Sequence, residues 1–161
     1  VQSQIEFKAP FRGMSMYPTL RDGDELLIEK FHNQPLAIGD IVFFRSHDGH
    51  EWQAHRLLQQ LSVDQVLLKG DWSSNLDEPL ETKAIFGIVV GKKSRHKTVV
   101  WGQRGQKIRS LFASWSLEII SSNNHFKRRF YRLAVLFLHV IESFLYLMKK
   151  PQEVIGKSQT E

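Results

Sequence analysis

The sequence predicts a mainly β protein that ends in an α-helical segment. Three observations predict it. Short apolar runs recur from Glu25 to about Val100, each closed by Gly, Asp, Asn, Ser or Pro. No long helical period lies between them. After Trp101 the pattern changes to longer apolar stretches with basic flanks.

Each run is short enough for one strand. "DELLIEK" opens the series at Asp24, after the turn pair Gly23-Asp24. "GDIVFFRS", "EWQAHRLLQQL", "DQVLLKGD", "AIFGIVVGKK" and "KTVVWG" follow, with Gly39-Asp40, Asp48-Gly49 and Gly70-Asp71 as punctuation. No repeat of fixed period appears. Residues 1–101 therefore read as one β-rich domain.

Residues 102–125 read as a linker, "GQRGQKIRS", and a short helix from "LFASWSLEIISS". Residues 126–150 read as an amphipathic helix that Asn123 or Asn124 caps and Lys149-Lys150-Pro151 ends. Arg132, His139, Glu142, Ser143 and Tyr146 fall on one face of it; most other positions are apolar. From Leu133 to Met148 such a helix extends about 24 Å, short of a bilayer core of ~30 Å. Glu142 makes spanning costly. A helix lying in the membrane interface, held by "FKRRFYR" and the terminal lysines, fits better, with packing on the β-body as the alternative. Residues 151–161 read as a flexible tail.

Composition narrows the chemistry. The chain has 161 residues, 42% of them apolar, enough for one domain with a core. It has no cysteine, which excludes a disulfide framework, a thiol nucleophile and a thiolate metal site. The net charge of +5 favours an anionic partner such as an acidic membrane surface. The basic stretches accompany no recognisable nucleic-acid module, so nucleic acid is not the expected partner. The first residues, from Val1, carry no apolar run, so no signal peptide or N-terminal anchor is expected there. The "HDGH" stretch lacks a further ligand at zinc-like spacing. No metal or other cofactor is expected.

Before the first strand run stands "GMSMYPTL", Gly13 to Leu20. Taken alone, Ser15 is a turn or N-cap serine before Pro18. Two later blocks change its company. "AHRLL" supplies His55, and "LLKGDWSSNLD" supplies Asp71 and Asp77. A serine hydroxyl is a weak nucleophile at neutral pH and needs a base; histidine titrates in the right range. A carboxylate fixes the histidine tautomer and stabilises the imidazolium. Spacing along the chain leaves open whether Asp71 or Asp77 is that carboxylate.

The three blocks, in this order, resemble those of type I signal peptidases and the related LexA-like serine peptidases. "GMSMYPTL" followed by "GD" resembles the nucleophile block. His55-Arg56 resembles the archaeal and endoplasmic-reticulum type, where most bacterial enzymes have Lys-Arg. "KGDWSSNLD" resembles the third block of that type, and "LAIGDIVFF" and "IFGIVVG" resemble its strand-forming pieces. The resemblance covers roughly residues 11–91. It implies a signal-peptidase/LexA-like β catalytic domain and a serine endopeptidase acting on a precursor or leader peptide with an extended cleavage segment. Ser15 is implied as nucleophile and His55 as general base. Asp77 is the better match to the acid, and Asp71 to the aspartate of the Gly-Asp turn. Met14, Met16 and Pro18 are implied at the substrate-binding surface. Gly13 stands where many signal peptidases have a serine, which leaves backbone N–H groups or another donor to form the oxyanion hole. The membrane-associated element is expected at the C-terminal end. A LexA-like self-cleaving or regulatory protein, and a non-catalytic membrane or partner-binding module, are the alternatives.

Overall fold

A computed structural model describes residues 5–46, 48–95, 97–101, 106–121, 133, 135–137 and 140. The protein is mainly β. Its strands are β1 (Phe7–Pro10), β2 (Glu25–Lys30), β3 (Ile41–Arg45), β4 (Trp52–Gln60), β5 (Gln65–Lys69), β6 (Leu80–Glu81), β7 (Ile85–Ser94) and β8 (Lys97–Val100). They form one antiparallel sheet in the order β1-β2-β7-β3-β4-β5-β6, with β8 also paired to β7. The sheet curls into a half-barrel. Register shifts at Leu27/Ile28, Phe43/Phe44 and Leu57/Gln59 mark where extra residues interrupt the ladders, and bulges of this kind increase twist and bend strands.

Alternation along the strands divides the core in two. On β3, Ile41 and Phe43 join a cluster with Phe11, Met16, Leu20, Leu26, Ile28, Ala54 and Val89. Val42 and Phe44, pointing the other way, join Leu57, Val66, Leu68, Leu80 and Ile85. Four consecutive apolar side chains on β3 are thereby all buried, as expected for a central strand covered on both faces.

All six strand runs named from the sequence become strands. Two strands were not anticipated. β1 is "FKAP", mostly exposed and without alternation; its pairing with β2, Phe7 opposite Ile28 and Pro10 opposite Glu25, makes it a strand. β6 has two residues, paired to β5. The helix α1 spans Gln106–Ser121, 16 residues. It starts inside the stretch expected as a linker. The reason is tertiary: Arg109, Phe112, Ala113 and Ser116 recur on one face and are buried, and that face lies against β4. Gly39 permits the approach, since a Cβ there would collide with the Arg109 backbone.

Of the helix expected over residues 126–150, the described residues 133, 135–137 and 140 are helical. Val135 is buried; Leu133, Phe137 and Val140 are exposed. The rest of that segment and the tail lie outside the described residues. Among the described residues no helix is long and apolar enough to cross a membrane.

Candidate active site

Ser15 lies in the turn-rich connection between β1 and β2. The sequence folds this connection tightly because its apolar residues sink into the first core cluster. Met16 and Leu20 are fully buried, and the Leu20 N–H donates to the Met16 carbonyl at 2.9 Å. Gly13 has φ +89°, which suits glycine, and its N–H donates to Asp22 Oδ1 at 2.8 Å. Tyr17-Pro18 is a cis peptide. The far end is fixed by Asp24. It accepts hydrogen bonds from Lys92, Ser94 and the Arg21 N–H. Burial pushes its carboxyl up, but these bonds and the Lys92 charge outweigh that and hold it below the usual carboxylate range.

The connection also leans on the loop after β5. The Trp72 N–H donates to the Ser15 carbonyl at 2.8 Å. The Asp71 N–H points at Met16 Sδ, 3.4 Å away. Gly70 lies so close that an added Cβ would stand 2.7 Å from the Ser15 carbonyl oxygen and 3.1 Å from its Cβ. The glycine of "KGD" is therefore the seat of Ser15. Among the described residues, neither the Ser15 hydroxyl nor its backbone N–H makes a hydrogen bond.

His55 stands on β4, opposite Val42 of β3. Its Nδ1 meets Asp77 Oδ2 at 2.5 Å, and its ring packs edge-on against Phe44, 5.8 Å between centroids. The Asp77 N–H donates to the Leu68 carbonyl at 3.1 Å, which ties the loop back to β5. With Nδ1 occupied by the carboxylate, Nε2 is the ring nitrogen left to exchange a proton with another group. Along its other edge, β4 pairs with β5, Arg56 opposite Lys69, the residue before Gly70. Gly70 packs on Ser15, and the loop that follows it carries Asp77, which meets His55. No hydrogen bond joins Ser15 to His55 among the described residues. Such bonds are often long before substrate arrives.

The two acids have separate partners. Asp71 receives Arg56 Nε and Nη2, each at 2.7 Å, and the Thr19 hydroxyl at 2.6 Å. Arg56 and Asp71 are almost wholly buried. Arg56 also donates to the Gly39 carbonyl at 2.9 Å and stacks over the Phe112 ring of α1 at 4.9 Å. Asp71 therefore locks Thr19 to the strand carrying His55, and it is Asp77 that meets the imidazole. Sequence reasoning gave Thr19 and Arg56 no role in the site, and Gly70 only that of a turn residue. Their signal was present in the quoted "YPTL", "HRLL" and "KGD" blocks, but nothing in a linear sequence says that an arginine will be buried.

The expected substrate-facing residues divide. Met14 is 53% exposed beside Ser15. Met16 and Pro18, the other two residues expected at the substrate-binding surface, are buried. The cause is that the Met16 side chain fills the first core cluster and receives the Asp71 N–H.

Lys69 lies at the same place. It is 1% exposed, and its Nζ donates to the Gly70 carbonyl at 3.0 Å. Burial pushes its ammonium down to about 8; Asp71 and Asp77 pull it up, while Arg56 pushes it further down.

No family model, curated protein or solved structure matches the chain. The functional reading therefore rests on the motifs and the geometry.

Proposed function

We propose that this protein is a serine endopeptidase of the signal-peptidase-like kind, with a LexA-like β catalytic fold. The observation that carries the reading is the His55–Asp77 pair at 2.5 Å, whose aspartate lies on the loop that follows Gly70, the glycine on which Ser15 rests. Asp77 holds the imidazole with Nε2 turned to accept a proton. Ser15 Oγ attacks the scissile peptide carbonyl as its proton passes to His55 Nε2. Asp77 stabilises the imidazolium. The developing oxyanion takes the Ser15 backbone N–H, which has no other partner among the described residues. Collapse breaks the C–N bond, and the leaving amine takes the proton from His55. Water then repeats the sequence on the acyl-enzyme, with His55 again as base. The substrate is a precursor or leader peptide bound in extended form beside an exposed strand.

The test is a mixed-sequence peptide library followed by mass spectrometry. Wild type is expected to cut a subset of peptides at defined bonds, and Ser15→Ala to cut none of them. Equal cleavage by both proteins rejects the reading.

Membrane association belongs to the same proposal. The exposed Leu133, Phe137 and Val140, with the basic "FKRRFYR" ahead of them, suit an interfacial helix. The protein is expected to sediment with anionic phospholipid vesicles more than with neutral ones, and less so as salt rises. Equal recovery from both vesicle types removes the electrostatic part of this proposal.

A further inference from the structure

The chain buries three charged side chains in one small volume at the end of β5: Arg56, Lys69 and Asp71. The roles of Arg56 and Asp71 are plain, since they form the fork that ties Thr19 to β4. A fully buried lysine beside them is costly, because an ammonium loses more solvation than neighbouring charges return unless its geometry is well satisfied. Asp71 and Asp77 offset part of that cost, and a cation buried at this point of the chain calls for a further reason.

The position of Lys69 supplies one. Its Nζ holds the carbonyl of Gly70, the residue against which Ser15 packs. The next N–H along the chain, from Asp71, points at Met16, the neighbour of Ser15, and the one after, from Trp72, donates to Ser15 itself. Lys69 therefore grips the first peptide of the segment that seats the nucleophile. Asp77, the carboxylate behind His55, is one of the charges that pull its titration up. The charged groups that act on it are Asp71 and Asp77 from the following loop and Arg56 from β4.

We infer that Lys69 is a positioning residue of the Ser15 site: its ammonium fixes the Gly70 peptide on which Ser15 rests. The inference rests on the peptidase reading of Ser15, His55 and Asp77. It does not make Lys69 a base, because in its charged form it has no proton acceptor to offer.

A consequence for pH follows. The ammonium is present below about 8 and is lost above it. Between about 8 and the ordinary lysine value of 10.5 the unfolded chain holds one more proton at this position than the folded one. Stability from this group therefore rises with pH across that window, and its burial cost is fully present below it. The charge that aids the site and the charge that weakens the fold are the same, so the two effects separate in one variant.

The experiment uses the full chain and the peptide cut best in the library. Wild-type kcat is expected to fall on the alkaline side about the Lys69 midpoint near 8. Lys69→Arg stays charged and moves that fall to higher pH. Lys69→Met is expected to lower kcat about tenfold at neutral pH with KM nearly unchanged, and to lose the alkaline limb. Its melting temperature stays level or rises, because a buried charge has been removed. A lysine with only a structural role gives the reverse pairing, a lower melting temperature and an unchanged pH profile, and that result overturns the inference. So does a Lys69→Met protein with wild-type kcat and a wild-type alkaline limb, while an inactive Ser15→Ala protein keeps the peptidase reading standing. If Ser15→Ala cleaves like wild type, the peptidase reading falls, and the Lys69 Nζ resonance followed against pH decides the coupling separately. A midpoint that drops in Asp77→Asn supports it; an unmoved midpoint overturns it.

Discussion

Asp77→Asn is expected to lose ~10⁴-fold in kcat while folding normally. In the proposed mechanism the carboxylate at 2.5 Å from His55 Nδ1 accepts a hydrogen bond from that N–H, which leaves the Nε2 lone pair for Ser15. An amide in its place can donate to Nδ1. The stable tautomer then carries its proton on Nε2, where a base must have none. The Asp77 side chain is about a quarter exposed, so a neutral isostere costs the fold little. Asp71→Asn makes the contrast. Asp71 touches Arg56 and Thr19, and its loss of charge leaves a buried guanidinium without its counter-ion. Its main effect is expected on stability, with the rate following only as the Ser15 connection loosens. Peptide cleavage and thermal melting measured side by side separate the two acids. A strong rate loss from Asp71→Asn with an unchanged melting temperature, alongside an active Asp77→Asn, would reverse their assignment.

Arg56→Ala carries the second large effect. Removing one partner of a buried ion pair costs ~3–5 kcal/mol, because the other charge stays behind in a dry site. For a chain of this length that lowers the melting temperature by roughly 10 °C. Several attachments go together, among them the fork to Asp71, the bond to Thr19, the bond to the Gly39 carbonyl and the contact with Phe112. The damage is therefore expected to spread in two directions. Toward the site, Thr19 loses its tie to β4. Toward α1, Phe112 loses the surface on which it rests, and the amides of α1 are expected to exchange faster with deuterated solvent. A double variant, Arg56→Met with Asp71→Leu, is expected to recover part of the lost stability, since the guanidinium and its carboxylate leave together while Lys69 loses the countercharge of Asp71. Failure of the double variant to recover would mean that the bonds to Thr19 and Gly39, rather than the stranded charge, set the cost.

These two predictions show where sequence reasoning stops. "AHRLL" marks His55 and Arg56 as neighbours but does not distinguish their tasks. In a strand, adjacent side chains point to opposite faces. Only the curled sheet decides that the His55 face meets Asp77 and Phe44, and that the Arg56 face meets Asp71, Thr19 and α1. Asp71 and Asp77 lie six positions apart in one loop, so local pattern could not choose between them. The helix α1 raised the opposite difficulty. Its early residues look like a basic linker, and it is held by Gly39 and Arg56, some fifty to seventy positions upstream.

The sequence by itself determined the strand series, because apolar alternation and Gly-Asp turns are local properties with a local physical cause. It also determined the inventory of chemistry, Ser15, His55 and two acids with no thiol to compete, since composition limits which reactions a site can run. The tertiary structure alone decided how that inventory is distributed. It buried Met16 and Pro18, left Met14 at the surface, set Ser15 on Gly70, joined Asp77 to His55 and placed Lys69 beneath them. The physical reason is that burial and charge pairing depend on contacts between residues tens of positions apart, and those contacts exist only once the sheet has curled.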